Sequence, residues 1–304
     1  MMSTEDDEAA DTCCASCGIT AVDEIKLKKC PDCDLVKYCS DDCQKKHREQ
    51  HEEECRKRKA ELRDRDLFAQ PDGSHLGECP ICCLPLSLNM TKSGFMGCCS
   101  KMICLGCAYA NQKREFEAGL EKRCAFCREP LPKSKEEWNK RIMNRIKKNC
   151  PAAMYQMGQK RKLEGDYKTA LKYFTNAAEL EYAAAHYSLS SLYHNGQGVE
   201  KDDEKRMYHW EEAAIGGHPT ARHNLGIYDG NNSKFERARK NFIIAANLGY
   251  NKSLNALKEL YANGHASKED YADALRAYQA AVDETKSTMR EVAEGDVNPA
   301  VMDY

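Results

Sequence analysis

The chain has 304 residues, 41% of them hydrophobic and 31% charged, with a formal net charge of −2 at pH 7. That balance excludes a wholly disordered chain, and the near-neutral charge excludes wholesale adhesion to nucleic acid or to an anionic membrane. No stretch reaches the roughly 18 apolar residues of a membrane span, and the acidic opening MMSTEDDEAAD resembles neither a secretory signal nor an Arg-rich transit peptide, so the expected location is the cytoplasm, with the nucleus as the alternative. Reducing compartments disfavour structural disulfides, yet the chain carries 18 cysteines. All but Cys150 fall between Cys13 and Cys127, many in pairs two residues apart, which is metal-ligand spacing.

The first cluster pairs Cys14 with Cys17, Cys30 with Cys33, Cys39 with Cys43, and His51 with Cys55. Eight such donors make two tetrahedral sites, and zinc is their natural occupant because it accepts thiolate and imidazole without redox chemistry. Ligands on one face of a helical turn account for the three-residue gaps. Cys14 is preferred to Cys13 by the two-residue gap, and His51 to His47 by its spacing to Cys55. The run YCSDDCQKKHREQHEEEC resembles the second half of a MYND-type zinc finger, here spanning 11–58. The resemblance implies that the pairs alternate: Cys14, Cys17, Cys39 and Cys43 around one ion, Cys30, Cys33, His51 and Cys55 around the other. Arg48 stands where the family often has Trp, which departs from its peptide groove.

Next comes a charged stretch, RKRKAELRDRD from Arg56, which leads into a charged linker or helix over 59–75. Its interleaved acids favour a solvated helix over a nucleic-acid patch. Pro71, Asp72 and Gly73 give a turn and a domain boundary.

The second cluster, 76–132, pairs Cys79 with Cys82, Cys104 with Cys107 and Cys124 with Cys127, with adjacent Cys98 and Cys99 between the first two pairs. The spacing resembles an all-cysteine RING finger. That resemblance implies one zinc on Cys79, Cys82, Cys104 and Cys107, and another on Cys98, Cys99, Cys124 and Cys127. The family's usual His position falls at Lys101, so Cys98 is taken as the remaining ligand; Cys83, outside the spacing, is expected to be a small buried hydrophobe. By resemblance, Ile81 inside the first pair and Arg128 after the last would contact a ubiquitin-conjugating enzyme carrying ubiquitin, while Ala125 departs from the family's proline. A module of this kind acts by positioning, with no covalent intermediate and no catalytic residue of its own.

Residues 133–150 read as a connecting helix with Trp138, Ile142 and Ile146 at helical spacing. Over 151–288 the chain repeats itself. The alanine pairs at Ala177, Ala213, Ala245 and Ala280 recur at intervals of 36, 32 and 35, a helix-pair period. The unit SLYHNGQGVEKDDEKRMYHWEEAAIGGH is similar to a Sel-one-like repeat, a relative of the tetratricopeptide repeat. Gly196 and Gly198 suit the turn between helices, and Gly216 and Gly249 suit helix C-caps. Such arrays bind proteins or peptides. The weak periodicity of 289–304 predicts a flexible tail.

The expected architecture is therefore multidomain: two small zinc-stabilised α+β modules, then an all-α helix-pair solenoid. Four zinc ions are the expected cofactor. A RING-type ubiquitin ligase, selecting substrate through the repeats and the MYND-type finger, is the first functional reading. A non-enzymatic adaptor is the alternative. Nucleic acid and membrane are not expected partners, and no methyltransferase signature accompanies the finger.

Overall fold

The computed structural model describes residues 13–21 and 26–296. The acidic opening, the first two residues of the expected finger and residues 297–304 of the expected tail lie outside the described residues. The chain divides into two compact units, one ending at Ala69 and the other beginning at Gln70.

In the first unit, Cys14 and Cys30 each open a tight turn. The Gly18 amide donates to the Cys14 carbonyl at 2.8 Å, and the Asp34 amide to that of Cys30 at 3.1 Å. Strand β1 (Lys28–Lys29) pairs antiparallel with β2 (Lys37–Tyr38), Lys28 opposite Tyr38. Helix α1 (Asp41–Leu67) follows, capped by the Ser40 hydroxyl, which accepts from the Cys43 amide. Asp41 and Asp42 in its first turn suit the positive end of the helix dipole. The charged stretch is helical, as expected, and it continues the helix of the finger: α1 runs through it without interruption. No Gly or Pro stops it, and local pairs such as Lys57 with Glu53 at 2.8 Å line its surface.

The second unit opens with another cysteine turn, Cys79–Cys83, and a single 3-10 turn at Met90–Lys92. Strand β3 (Ser93–Met96) pairs antiparallel with β4 (Lys101–Cys104), Ser93 opposite Cys104, and the hairpin loop presents Cys98 and Cys99. Helix α2 (Leu105–Glu117) starts directly from Cys104, whose sulfur accepts from the Cys107 amide. A fourth cysteine turn, Cys124–Arg128, precedes helix α3 (Lys135–Ile146).

Helix α3 is more than a connector. Its Ile142 is fully buried among Phe95, Trp138 and Met157. Gly97 makes this approach possible, since a Cβ there would lie 3.2 Å from both Ile142 and Trp138. Arg145 donates to the Cys99 carbonyl at 3.1 Å and to the Ser100 hydroxyl at 3.2 Å. The second cysteine module therefore shares one compact unit with the helices that follow.

Those helices form four pairs: α4 (Pro151–Leu163) with α5 (Tyr167–Ala178), α6 (Ala183–Asn195) with α7 (Asp203–Ile215), α8 (Pro219–Asn231) with α9 (Phe235–Asn247), and α10 (Asn251–Ala262) with α11 (Lys268–Glu284). The first three alanine pairs are buried between helices; Ala280 is exposed and Ala281 half-buried, as befits the last repeat of a stack. Gly158 and Gly226 occupy the same place in their pairs. A Cβ at either would come within 2.6 or 2.5 Å of a ring carbon of Phe174 or Phe242, so the missing side chain is what seats the aromatic ring.

Gly196 and Gly198 take positive φ in the turn between α6 and α7, as expected. Gly249 also does, just beyond α9. Gly216 caps α7, as expected, but with φ of −72°; it is Gly217 that takes the left-handed conformation. Gly216 is needed for closeness, because a Cβ there would meet that of Ala183 at 2.7 Å.

The expected flexible tail is corrected as far as residue 296. Residues Thr288–Asp296 form helix α12, which packs on α2. Gly106 of α2 allows the contact, since its Cβ would lie 3.0 Å from the Arg290 backbone. The Tyr109 hydroxyl donates to Asp296 at 2.8 Å, and Lys92 pairs with Glu294 at 2.8 Å. A nine-residue helix is too short to print a clear periodicity in sequence.

Candidate metal centres

Each cysteine pair is presented by a backbone device that the sequence fixes locally. In the turns at Cys14, Cys79 and Cys124, the first cysteine's amide donates to the carbonyl five residues on: Ile19, Leu84 and Glu129, at 2.8 to 3.0 Å. The fifth residue of these three turns, and of the turn at Cys30, is left-handed: Gly18, Cys83, Arg128 and Asp34, with φ of 74°, 54°, 64° and 59°. Both sulfurs of a pair then point to one side. Cys83 is thus part of the turn rather than of a core; it is exposed, which corrects the expectation that it is buried.

The donor atoms gather into four groups, each within 4.8 Å: Cys14, Cys17, Cys39 and Cys43; Cys30, Cys33, His51 and Cys55; Cys79, Cys82, Cys104 and Cys107; Cys98, Cys99, Cys124 and Cys127. Neighbouring sulfurs lie 3.6 Å apart for Cys17 and Cys39, 3.8 Å for Cys30 and Cys55, 3.8 Å for Cys82 and Cys104, and 3.9 Å for Cys99 and Cys124. A disulfide needs about 2.05 Å. A tetrahedron with zinc–sulfur bonds of about 2.3 Å has edges of about 3.8 Å. Cys98 and Cys127 come closer, at 3.3 Å, and the donor spacing as a whole fits tetrahedral zinc sites. His51 contributes Nε2, 3.1 Å from the Cys33 sulfur, while His47 turns its Nδ1 to the Tyr38 hydroxyl. Cys13 and Cys150 belong to none of the groups.

The electrostatics fit a dication. Burial raises the Cys14 thiol, but hydrogen bonds from the backbone of Cys39, Cys17 and Ser16 bring it down to about 6. The Cys104 side chain beside Cys79 brings that thiol down to about 4, helped by backbone groups of Cys104, Cys82 and Ile81. Their neighbours go the other way. Cys39 is pushed up to about 12 by the sulfurs of Cys17 and Cys43, and Cys99 to about 12 by that of Cys124. One thiolate per group forms readily and the next is opposed by the first. A divalent cation removes that opposition and releases the remaining protons. Four zinc ions fit the four groups.

The two residues singled out for partner docking sit together. Ile81, 41% exposed, and Arg128 line one shallow depression of about 380 Å³ with Ala110, Ala125 and Met289. Arg128 donates to Asn111, which also accepts from Arg114 at 3.2 Å, so its guanidinium is held over the α2 face. Sequence reading gave no sign of Asn111 or Met289, which come from helix faces whose orientation only the packing sets.

Residues 14–55 match the MYND finger family. Three consecutive segments, 151–182, 183–218 and 219–250, each match the Sel1 repeat. The second cysteine module and the fourth helix pair lie outside these ranges. Among solved structures, the chain is similar to a Sel1 repeat protein from Oxalobacter formigenes, at 21% identity over 59% of this chain and 72% of that one, with a TM-score of 0.43. It is also similar to c5321, described as a protective antigen present in uropathogenic Escherichia coli strains and displaying an SLR fold, at 17% identity over 65% of this chain and 50% of that one, with a TM-score of 0.32. No curated protein matches the chain. No described helix is long and apolar enough to cross a membrane.

The chain is thus a zinc-binding protein in which a MYND finger and Sel1 repeats offer surfaces suited to protein partners.

Proposed function

We propose that the second cysteine module is a RING-type docking domain and that the protein is a ubiquitin ligase. The observation that carries this reading is the meeting of Ile81 and Arg128 on one depression beside the donor group of Cys82, Cys104 and Cys107. An apolar side chain beside a fixed cation suits a partner loop with an apolar tip and carbonyl or acidic groups around it. The module would hold a conjugating enzyme and its thioester-linked ubiquitin in a reactive pose, and the thiolates, committed to metal, would take no covalent part. The repeats and the MYND finger would select the protein substrate. Cytoplasm or nucleus is the compartment in which such cysteines stay reduced.

Autoubiquitination of purified full-length protein, over a panel of conjugating enzymes, tests it. Chains with at least one enzyme, and a loss of tenfold or more in Ile81→Ala, are expected. Absence of chains with every enzyme removes the ligase reading. Full activity in Ile81→Ala removes the assigned docking face.

A second reading, a non-enzymatic adaptor, is favoured by one observation: helix α12 brings Ser287 and Met289 to the rim of the same depression. A partner must fit beside that helix as well as onto the zinc module.

A further inference from the structure

Helix α12 delivers one residue into the zinc module itself. Arg290 is only 7% exposed, although guanidinium groups are rarely buried without a compensating partner. Its Nη2 donates to the sulfur of Cys82 at 3.4 Å and to the Leu84 carbonyl at 3.1 Å. Its Nη1 donates to the carbonyls of Pro85 and Thr285, both at 2.7 Å. The fork therefore grips a ligand sulfur and the loop just after it, and ties both to the end of the helical array.

Charge explains why a cation belongs there. Four thiolates outnumber the two positive charges of zinc(II), so the group of Cys79, Cys82, Cys104 and Cys107 is a net anion when loaded. A guanidinium on one of its sulfurs, itself buried although Cys82 is exposed, lowers the cost of that surplus. Groups next to the ligands tune metal sites in this way, and their loss typically weakens binding by about ten- to a hundredfold. The cation in turn needs the anion, since burial without it would be costly.

We propose that Arg290 is a positioning residue of the zinc site formed by Cys79, Cys82, Cys104 and Cys107, and that through it the ion and helix α12 hold each other in place. The docked helix supplies the cation that stabilises the loaded thiolates. The loaded site supplies the anion that keeps the helix docked. Because Ser287 and Met289 of this segment border the depression that holds Ile81, occupancy of this one site also sets the shape of that face. The coupling does not depend on ligase activity and survives if the protein proves to be an adaptor.

The test uses the zinc-loaded full-length chain, challenged with a chromophoric chelator while release is counted. In Arg290→Gln, one of four zinc equivalents should leave roughly ten- to a hundredfold faster than in the wild type, the other three unchanged. Arg290→Lys, which keeps a charge but loses the fork, should fall between. Arg276→Gln, an exposed arginine paired with Asp273, should behave as wild type. In the cobalt(II)-substituted protein the sulfur-to-metal charge-transfer band should shift in Arg290→Gln and move back in Arg290→Lys, a response that a purely packing role would not give. Hydrogen exchange on the unmutated protein provides a measurement independent of variant folding. Amides of 288–296 should lose protection on chelation and regain it when zinc is restored. Wild-type release in Arg290→Gln, equal acceleration of all four equivalents, an unmoved cobalt band, or protection of 288–296 indifferent to zinc would each overturn the proposal.

Discussion

The imidazole of His75 lies flat on that of His218, with ring centroids 4.1 Å apart and planes 25° from parallel. His218 in turn stacks on Tyr187 at 4.3 Å, and its Nδ1 accepts from the Ala221 amide as the cap of α8. The His75 amide donates to the Gly217 carbonyl at 3.0 Å. The chain leading into the second zinc module is thereby stitched to the turn between α7 and α8. Burial lowers His75 to about 4, and burial with the neighbouring His75 lowers His218 well below its ordinary value. An unfolded histidine titrates near 6.5. Between pH 6.5 and 4 the unfolded chain therefore binds more protons than the folded one. The stability this pair confers is complete above pH 6.5 and is lost as pH falls through 4. Nitrogen chemical shifts should report a neutral His75 ring at pH 5.5; a protonated ring at that pH would contradict the stacked geometry.

Chelation should remove four zinc ions and do more than melt the N-terminal half. Structural zinc is worth on the order of 10 kcal/mol in small modules. Because α3 wedges Ile142 between the β3–β4 hairpin and α4, loss of the second module's metal removes a wall of the helical core. Circular dichroism should show most helicity surviving with a lowered melting temperature. An unchanged melting temperature would mean that module and array are independent after all. Acidification should act in the same direction, since protons compete with the metal for thiolates.

His51→Ala should cost one zinc equivalent and His47→Ala none, as elemental analysis of the purified variants would show. His51 has its Nε2 within the second group, whereas His47 faces Tyr38. Retention of four ions in His51→Ala would transfer the ligand role elsewhere.

Gly158→Ala and Gly226→Ala should each destabilise the array by about 1–3 kcal/mol, the usual cost of overpacking. Helix propensity alone predicts a gain of up to about 1 kcal/mol. The Cβ distances of 2.6 and 2.5 Å to the facing phenylalanines decide between the two, and denaturant unfolding reads the sign.

Cys83→Gly should stabilise the second module by about 1 kcal/mol, because glycine adopts φ of 54° without the clash a side chain meets. Zinc content should stay at four. A drop to three would place Cys83 among the ligands.

Much of the metal chemistry was legible because it is local. A Cys-x-x-Cys turn is specified within half a dozen residues, and Cys98 with Cys99 occupy a hairpin loop that leaves both sulfurs on one side. The repeats were legible through Ala177, Ala213 and Ala245, whose small side chains mark the close helix contacts. What escaped was non-local. Arg290 reads as an ordinary surface arginine until Cys82, from the far end of the second unit, is seen beside it. Gly216 and Gly217 are adjacent and identical in sequence; only the approach of Ala183 to one separates a packing glycine from a turn glycine. Ile142 carried a helical pattern, but not the identity of the two bodies it joins.

Helix α1 begins among the ligands of the finger and continues for twelve residues past Cys55, with only His51 and Leu67 buried among the described residues of its length. At about 1.5 Å per residue it is a rod of about 40 Å, most of it in water. A polar helix of this kind starts with difficulty and lengthens with ease, because the first turn must fix several residues for a single hydrogen bond. Here Cys43, His51 and Cys55 are donors on the first turns of the helix itself. Metal held by them would fix those turns, and the charged extension would need only to propagate from there. A metal lost at the base would therefore be felt as fraying at the far tip.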